Sequence, residues 1–295
     1  MLNRTAVFGH LSALSVLRQQ GAVVPAFDTA ACAALMDELT ALSARAAQAI
    51  KDWTGKGGVR SKADGSPVTA ADEAAEAVIC DGLVRLAPAV PIISEEQAAR
   101  ENPKIPIMSP AGEGASYFLV DPLDGTREFV AGRDEYTINI ALISAGAPIL
   151  GIITAPASGL TWRGIVGRGA ERIALADGQS SPPRAIYARP RPEREVVIMV
   201  SRSHLEARTR AFLDGFPQAK LVPCGSSVKF CRLAEGSADL YPRLAPTRDW
   251  DVAAGHAILK AAGGHMTAPD GSPLIYGSAD LLIPAFVASG DPVTA

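Results

Sequence analysis

Asp121-Pro122-Leu123-Asp124-Gly125-Thr126 is the segment whose residue types and spacing best suit chemistry. An apolar run, Ser116 to Val120, delivers an acid, proline fixes the backbone after it, and a second acid follows three positions on. Asp121, Asp124 and the Leu123 carbonyl then offer three oxygen ligands to one small volume, which suits Mg²⁺, a hard cation. Gly125 lets a substrate approach the main chain. A helix starting near Thr126 would turn free N–H groups toward a phosphate. The same six residues also read as a tight turn in which the two acids only cap.

Other acids share this double reading. Glu95 and Glu96 follow a short apolar run, Val90 to Ile93. They gain meaning when that strand lies beside the one ending at Asp121, and adjacent side chains diverge, so one of the pair is a ligand and the other structural. Asp251 opens a small-residue helix with Asp249 and Trp250. It is either a helix start favoured by the dipole or a distant fourth carboxylate of the same cluster. Asp72 completes a capping box with Thr69, or accepts a proton from Thr126. Lys62 is either a solvated loop lysine or a counter-charge beside a phosphate.

The elements that must hold these residues alternate along the chain. Asp28 or Thr29 caps a helix reaching about Trp53, with Leu35, Leu39, Leu42, Ala46 and Ile50 on one face. Gly55, Gly57 and Gly58 end it. A second helix runs from Thr69 to about Leu86. Gln97 to Ala115, with three prolines and two glycines, reads as a loop. Thr137 to Ile143 and Ile149 to Thr154 form a hairpin, followed by a strand over Leu160 to Val166. Beyond the Pro-, Ser- and Arg-rich stretch 177–192, strands at Val196–Val200, Lys220–Val222, Ala238–Tyr241 and Pro284–Ala288 alternate with helices at His204–Leu213, Ser227–Ala234 and Asp249–Ala262. The pattern predicts an α/β fold of stacked layers. Its expected parts are an N-terminal extension over 1–27, a metal-binding half over 28–176, a connecting loop over 177–192 and a substrate-binding half over 193–295.

The composition is that of a globular protein: 295 residues, 48% apolar and 20% charged. A net charge of −3 provides no field for nucleic acid. Cys32, Cys80, Cys224 and Cys231 include no C-x-x-C pair, so they read as reduced thiols of a cytoplasmic protein. No run approaches the ~18 apolar residues of a membrane span. Residues 1–27, broken by Arg4, His10 and Arg18, do not read as a secretory signal.

Four separate motifs, in order, resemble the inositol monophosphatase superfamily of metal-dependent, lithium-sensitive phosphatases. They are Ser66-Pro67-Val68-Thr69-Ala70-Ala71-Asp72, Ser94-Glu95-Glu96, Asp121 to Thr126, and Trp250-Asp251-Val252-Ala253-Ala254-Gly255. Within it, the 3′(2′),5′-bisphosphate nucleotidases of bacterial sulfur metabolism are most similar. That narrower match is carried by Arg127-Glu128-Phe129, Gly225-Ser226-Ser227-Val228-Lys229-Phe230-Cys231 and the stretch from Ala234 to Arg243.

The resemblance implies an α-β-α-β-α layered sandwich. It implies two or three Mg²⁺ ions held by Glu95, Asp121, Asp124, Asp251 and the Leu123 carbonyl, with Asp72 and Thr126 activating water. The N–H groups of Gly125 and Thr126 would hold the cleaved phosphate, with Lys62 near it. His204, Ser226, Lys229 and Arg243 would bind the nucleotide. The implied reaction is conversion of adenosine 3′,5′-bisphosphate to AMP and phosphate. Two alternatives stand beside it: an inositol- or sugar-phosphate phosphatase, and a silent protein that binds a phosphorylated ligand. Oligomeric state is not legible.

Overall fold

The computed structural model describes residues 27–101, 116–176, 179–202 and 205–291. Its first helix, α1 (Thr29–Lys51), begins where the Asp28 side chain accepts the Ala31 N–H at 2.8 Å. Leu39, Leu42, Ala46 and Ile50 form its buried stripe. The helix closes at Asp52, ahead of the glycines expected to end it. A small hairpin, β1 (Arg60–Ser61) and β2 (Pro67–Val68), leads to α2 (Ala70–Leu86), which packs its Ala71, Ala75, Ile79 and Leu83 against α1.

β3 (Ile92–Ser94) runs directly into α3 (Glu95–Glu101). The expected loop over Gln97–Ala115 is therefore helical as far as Glu101, and its remainder, 102–115, lies outside the described residues. The short run Glu95-Glu96-Gln97-Ala98-Ala99-Arg100 is built of good helix formers, and this local propensity prevails. Next come β4 (Ser116–Asp124), α4 (Thr126–Val130), β5 (Thr137–Ser144), β6 (Ala147–Ala155), β7 (Leu160–Ile165) and β8 (Gly169–Ala176). Within the stretch expected as a loop, β9 (Gln179–Ser180) and β10 (Arg184–Ile186) both pair with β8. The first sheet runs β10-β8-β7-β6-β5-β4-β3, antiparallel except for the parallel pair β3–β4. Its strand β4, next to the edge strand β3, is buried on both faces. Phe118 and Val120 pack under α1 and α2, while Tyr117 and Leu119 face the opposite layer.

That opposite layer is helical. α6 (Val228–Ala234) and α7 (Asp249–Ala261) lie between the first sheet and a second one, and they share one apolar cluster with both. Contact is close because a side chain is missing where it matters: a Cβ on Gly151 of β6 would sit 2.3 Å from the Ala254 carbonyl of α7. The second sheet is ordered β12-β11-β13-β17-β15. It comprises β11 (Val197–Ser201), β12 (Lys220–Cys224), β13 (Leu240–Arg243), β15 (His265–Thr267) and β17 (Phe286–Ser289). α5 (Ala207–Leu213) covers its outer face through Leu213, Val200 and Val287. A two-stranded piece pairs β14 (Thr247–Arg248), which leads into α7, with β16 (Leu282–Ile283), which lies beyond it in the chain. The layers are thus helix, sheet, helix, sheet, helix.

Candidate active site

Parallel pairing of β3 with β4 sets Ser94 opposite Val120, so Glu95, where β3 ends, comes to lie beside Asp121 of β4. Asp124 follows Asp121 by three positions, an odd step that in a regular strand would point them to opposite faces. The ladder corrects this. Asp121 pairs with Asn139 and Asp124 with Thr137, so three steps on β4 match two on β5. The extra residue is a bulge at Pro122-Leu123 that re-aims Asp124. The Asp121 Oδ1 accepts the Leu123 N–H at 3.0 Å and locks the turn. Asp251 arrives from the first turn of α7. Ligand atoms of Glu95, Asp121 and Asp251 all lie within 4.8 Å of one another.

The charges at this point oppose each other. Burial pushes the Glu95 carboxyl up to about 7; Lys62 pulls it down, and Asp251 and Glu96 push it further up. Burial, then Glu95, Asp124 and Asp251, raise Asp121 well above the carboxylate range. Asp251 is also raised, by burial and then Asp124, against Arg243 and its bond from Thr247. The donors are all oxygen, converging and mutually repelling, which is the set a hard divalent cation relieves. These residues fit a metal site.

Lys62, its side chain 8% exposed, donates to Glu95 and to Glu96 at 2.6 Å each. Burial works against its charge, but the two glutamates outweigh it and raise its pKa. The adjacent glutamates do diverge: Glu95 turns to the cluster, and Glu96 is buried on Lys62.

Asp72 makes the contacts on which both of its readings depend. Its Oδ2 accepts from the Thr69 N–H at 2.8 Å and the Thr69 hydroxyl at 2.6 Å, completing the capping box of α2. Its Oδ1 accepts from the Thr126 hydroxyl at 3.0 Å. Burial raises its pKa against these bonds and the Lys62 charge. Gly125, with φ 94°, precedes α4; a Cβ there would lie 3.0 Å from the Glu135 carbonyl and 3.3 Å from the Tyr136 Cα.

A cleft of about 880 Å³ joins these groups to the second sheet. Lys62, Glu95, Asp121, Leu123, Asp124, Gly125, Thr126 and Asp251 line it together with Ser226, Lys229 and Arg243. Asp72 stands behind Thr126. His204 lies outside the described residues. Lys229 is 3% exposed, and its ammonium is committed to main-chain oxygens, donating to the Cys224 carbonyl at 3.2 Å and to the Ser226 carbonyl. Its Nζ also sits 5.2 Å over the Tyr241 ring. Ser226 has φ 44°, and Lys229 braces that turn from below. Arg243 differs: its buried Nε has no hydrogen-bond partner among the described residues.

Three residues of the site were not singled out from sequence. Ser227 donates to Asp124 Oδ2 at 2.6 Å, Asn139 donates to Ser227 at 2.8 Å, and Thr247 donates to Asp251. Asn139 had a readable signal, a lone amide within the apolar run Ile138-Asn139-Ile140-Ala141.

Residues 26–291 match the model of the inositol monophosphatase family. A 3′(2′),5′-bisphosphate nucleotidase CysQ from Escherichia coli strain K12 is 41% identical over 245 residues, 82% of this chain and 94% of that protein. The protein of the same description from Haemophilus influenzae is 32% identical over 240 residues, 79% and 84% of the two chains. A crystal structure of CysQ from Bacteroides thetaiotaomicron, described as a bacterial member of that family, superposes with a TM-score of 0.68 at 30% identity. It covers 86% of this chain and 96% of its own. Among the described residues, no helix is long and apolar enough to cross a membrane.

Proposed function

The chain belongs to the inositol monophosphatase family, and on that premise we propose that it is a Mg²⁺-dependent 3′(2′),5′-bisphosphate nucleotidase that converts adenosine 3′,5′-bisphosphate to AMP and phosphate. The observation that supports the narrower reading is one cleft lined both by a carboxylate cluster fit for cations and by Arg243, whose positive charge acts on Asp251 and Asp124 and would add a contact for a second phosphate.

Glu95, Asp121, Asp124, Asp251 and the Leu123 carbonyl would hold Mg²⁺, which when bound supplies Lewis acidity and a nucleophile at neutral pH. The Thr126 hydroxyl donates a hydrogen bond to Asp72, so its lone pairs are free to orient the attacking water, and as the hydroxyl takes a proton from that water its own proton passes to Asp72. Burial keeps the Asp72 carboxylate basic enough to receive that proton. The N–H groups of Gly125 and Thr126 steady the phosphate under attack. Phosphoryl transfer asks little more than this positioning and charge neutralisation. All four cysteines are unpaired, which agrees with a reducing, cytoplasmic setting.

Phosphate release tests the proposal, with adenosine 3′,5′-bisphosphate and inositol 1-phosphate compared in Mg²⁺ and in EDTA. Preference for the nucleotide, abolished by EDTA, is expected. Preference for the inositol phosphate would move the chain to the sugar-phosphate branch, and absence of turnover on both would favour a silent binder.

A further inference from the structure

Asp124 is not among the three carboxylates that cluster within 4.8 Å, although it belongs to the same short segment as Asp121. The residues holding it come from elsewhere in the fold. Its Oδ2 accepts the Ser227 hydroxyl at 2.6 Å. The same hydroxyl oxygen accepts Asn139 Nδ2 at 2.8 Å and lies 3.0 Å from the Asp251 main-chain carbonyl. Asn139 Nδ2 is also 3.4 Å from Asp124 Oδ2.

A serine has one hydroxyl proton, and the shorter, charge-assisted contact claims it. The amide orientation of Asn139 follows, because the reverse would turn its oxygen against both Ser227 and a carboxylate oxygen. Ser227 is 1% exposed and Asn139 likewise, so water does not compete for these bonds. Ser227 thereby ties β4, β5 and α7 together at one point, just ahead of α6. With Oδ2 so engaged, Oδ1 of Asp124 is the oxygen left for the cleft.

We infer that Ser227, backed by Asn139, is the positioning residue for Asp124 and sets the affinity of the cation that Asp124 helps to hold. The inference rests on the metal-dependent reading above, but not on which phosphate ester is cleaved.

The test is binding of Mn²⁺ alone, followed through the loss of its free electron paramagnetic resonance signal. Ser227→Ala weakens binding roughly tenfold, as loss of a hydrogen bond to a metal ligand typically does. The Mg²⁺ concentration that half-saturates phosphate release rises by a similar factor, while KM at saturating Mg²⁺ stays within about twofold. A double-mutant cycle with Asp124→Asn identifies the route: in that background Ser227→Ala adds no further loss. Asn139→Leu is the second variant and weakens Mn²⁺ binding in the same direction, which keeps the inference open to refutation even where Ser227→Ala yields no folded protein. Unchanged Mn²⁺ binding in the single variants, or a full tenfold loss added on top of Asp124→Asn, overturns it. Mn²⁺ binding does not depend on substrate, so a failed nucleotidase assay and a failed positioning role are told apart.

Discussion

The Thr126 hydroxyl donates to the Asp72 carboxylate at 3.0 Å across 54 residues of chain, and the other oxygen of that carboxylate closes the capping box of α2. One side chain thus serves both helix and chemistry, and variants separate the two. Thr126→Val should lower kcat roughly a hundredfold or more, the scale of a lost proton-transfer partner, with the melting temperature nearly unchanged. Asp72→Ala should lose a similar factor in kcat and also cost about 0.5–2 kcal/mol, because the cap goes with it. A Thr126→Val enzyme of near-wild-type kcat would remove the pair from the mechanism.

Asp121→Asn should abolish turnover and leave the metal-free protein as stable as the parent or more so. Asp121 is buried against Glu95, Asp124 and Asp251, all of its own sign, so neutralising it relieves repulsion. Melting in EDTA and phosphate release in Mg²⁺ read the two effects. Substantial Mg²⁺-dependent turnover by this variant would place the site elsewhere.

Glu95 carries a pH signature. Its carboxyl is raised from 4.5 to about 7 in the fold. Between those values the folded state keeps a proton that the unfolded state has lost, so stability falls as pH rises through that window. His256, lowered to about 4 by burial, acts in the opposite sense over its own range, which makes a difference measurement necessary. The metal-free parent should lose more stability than Glu95→Gln between pH 5 and pH 7, a window set by the Glu95 values. Mg²⁺ should restore the parent at pH 7 more than at pH 5, since metal binding displaces the proton. Parallel pH profiles for parent and variant in EDTA would refute this account.

How far the sequence could be read is clearest at individual residues. The closeness of Glu95 to Asp121 was conditional on β3 lying beside β4, and both strands had signals of their own. Thr69 and Asp72 announced a helix start because a capping box is local. Ser227 and Thr247 carried no such signal: Ser227 meets Asp124 across 103 residues, and neither residue type marks a ligand's partner. β8 went unread for the opposite reason. Gly169-Ala170-Glu171-Arg172-Ile173-Ala174-Leu175-Ala176 favours helix locally, and pairing with β7 on one side and β10 on the other overrides it. Lys229 was expected to bind the nucleotide, and its immediate surroundings, two carbonyls and a tyrosine ring, are brought together only by the folded turn.

That geometry divides the two cations Lys229 and Arg243 that line the cleft. Both were expected to bind the nucleotide. Arg243 lines the cleft, and its guanidinium is the group we propose meets the second phosphate. Lys229 already donates to the Cys224 and Ser226 carbonyls and braces Ser226 at φ 44°, a conformation costing about 1–2 kcal/mol for a residue with a Cβ. Arg243→Ala should therefore lower kcat/KM for adenosine 3′,5′-bisphosphate by roughly one to two powers of ten, the worth of a charge-assisted contact of about 1.5–3 kcal/mol. It should barely affect 3′-AMP, which has no second phosphate. Lys229→Met should instead depress both substrates by a similar factor and lower the melting temperature, because it releases the turn that carries Ser226 into the cleft. The measurement is the ratio of kcat/KM on the two substrates for each variant. If Lys229→Met spares 3′-AMP while Arg243→Ala does not, the roles are exchanged. If both variants lose equally on both substrates, neither cation reads the second phosphate.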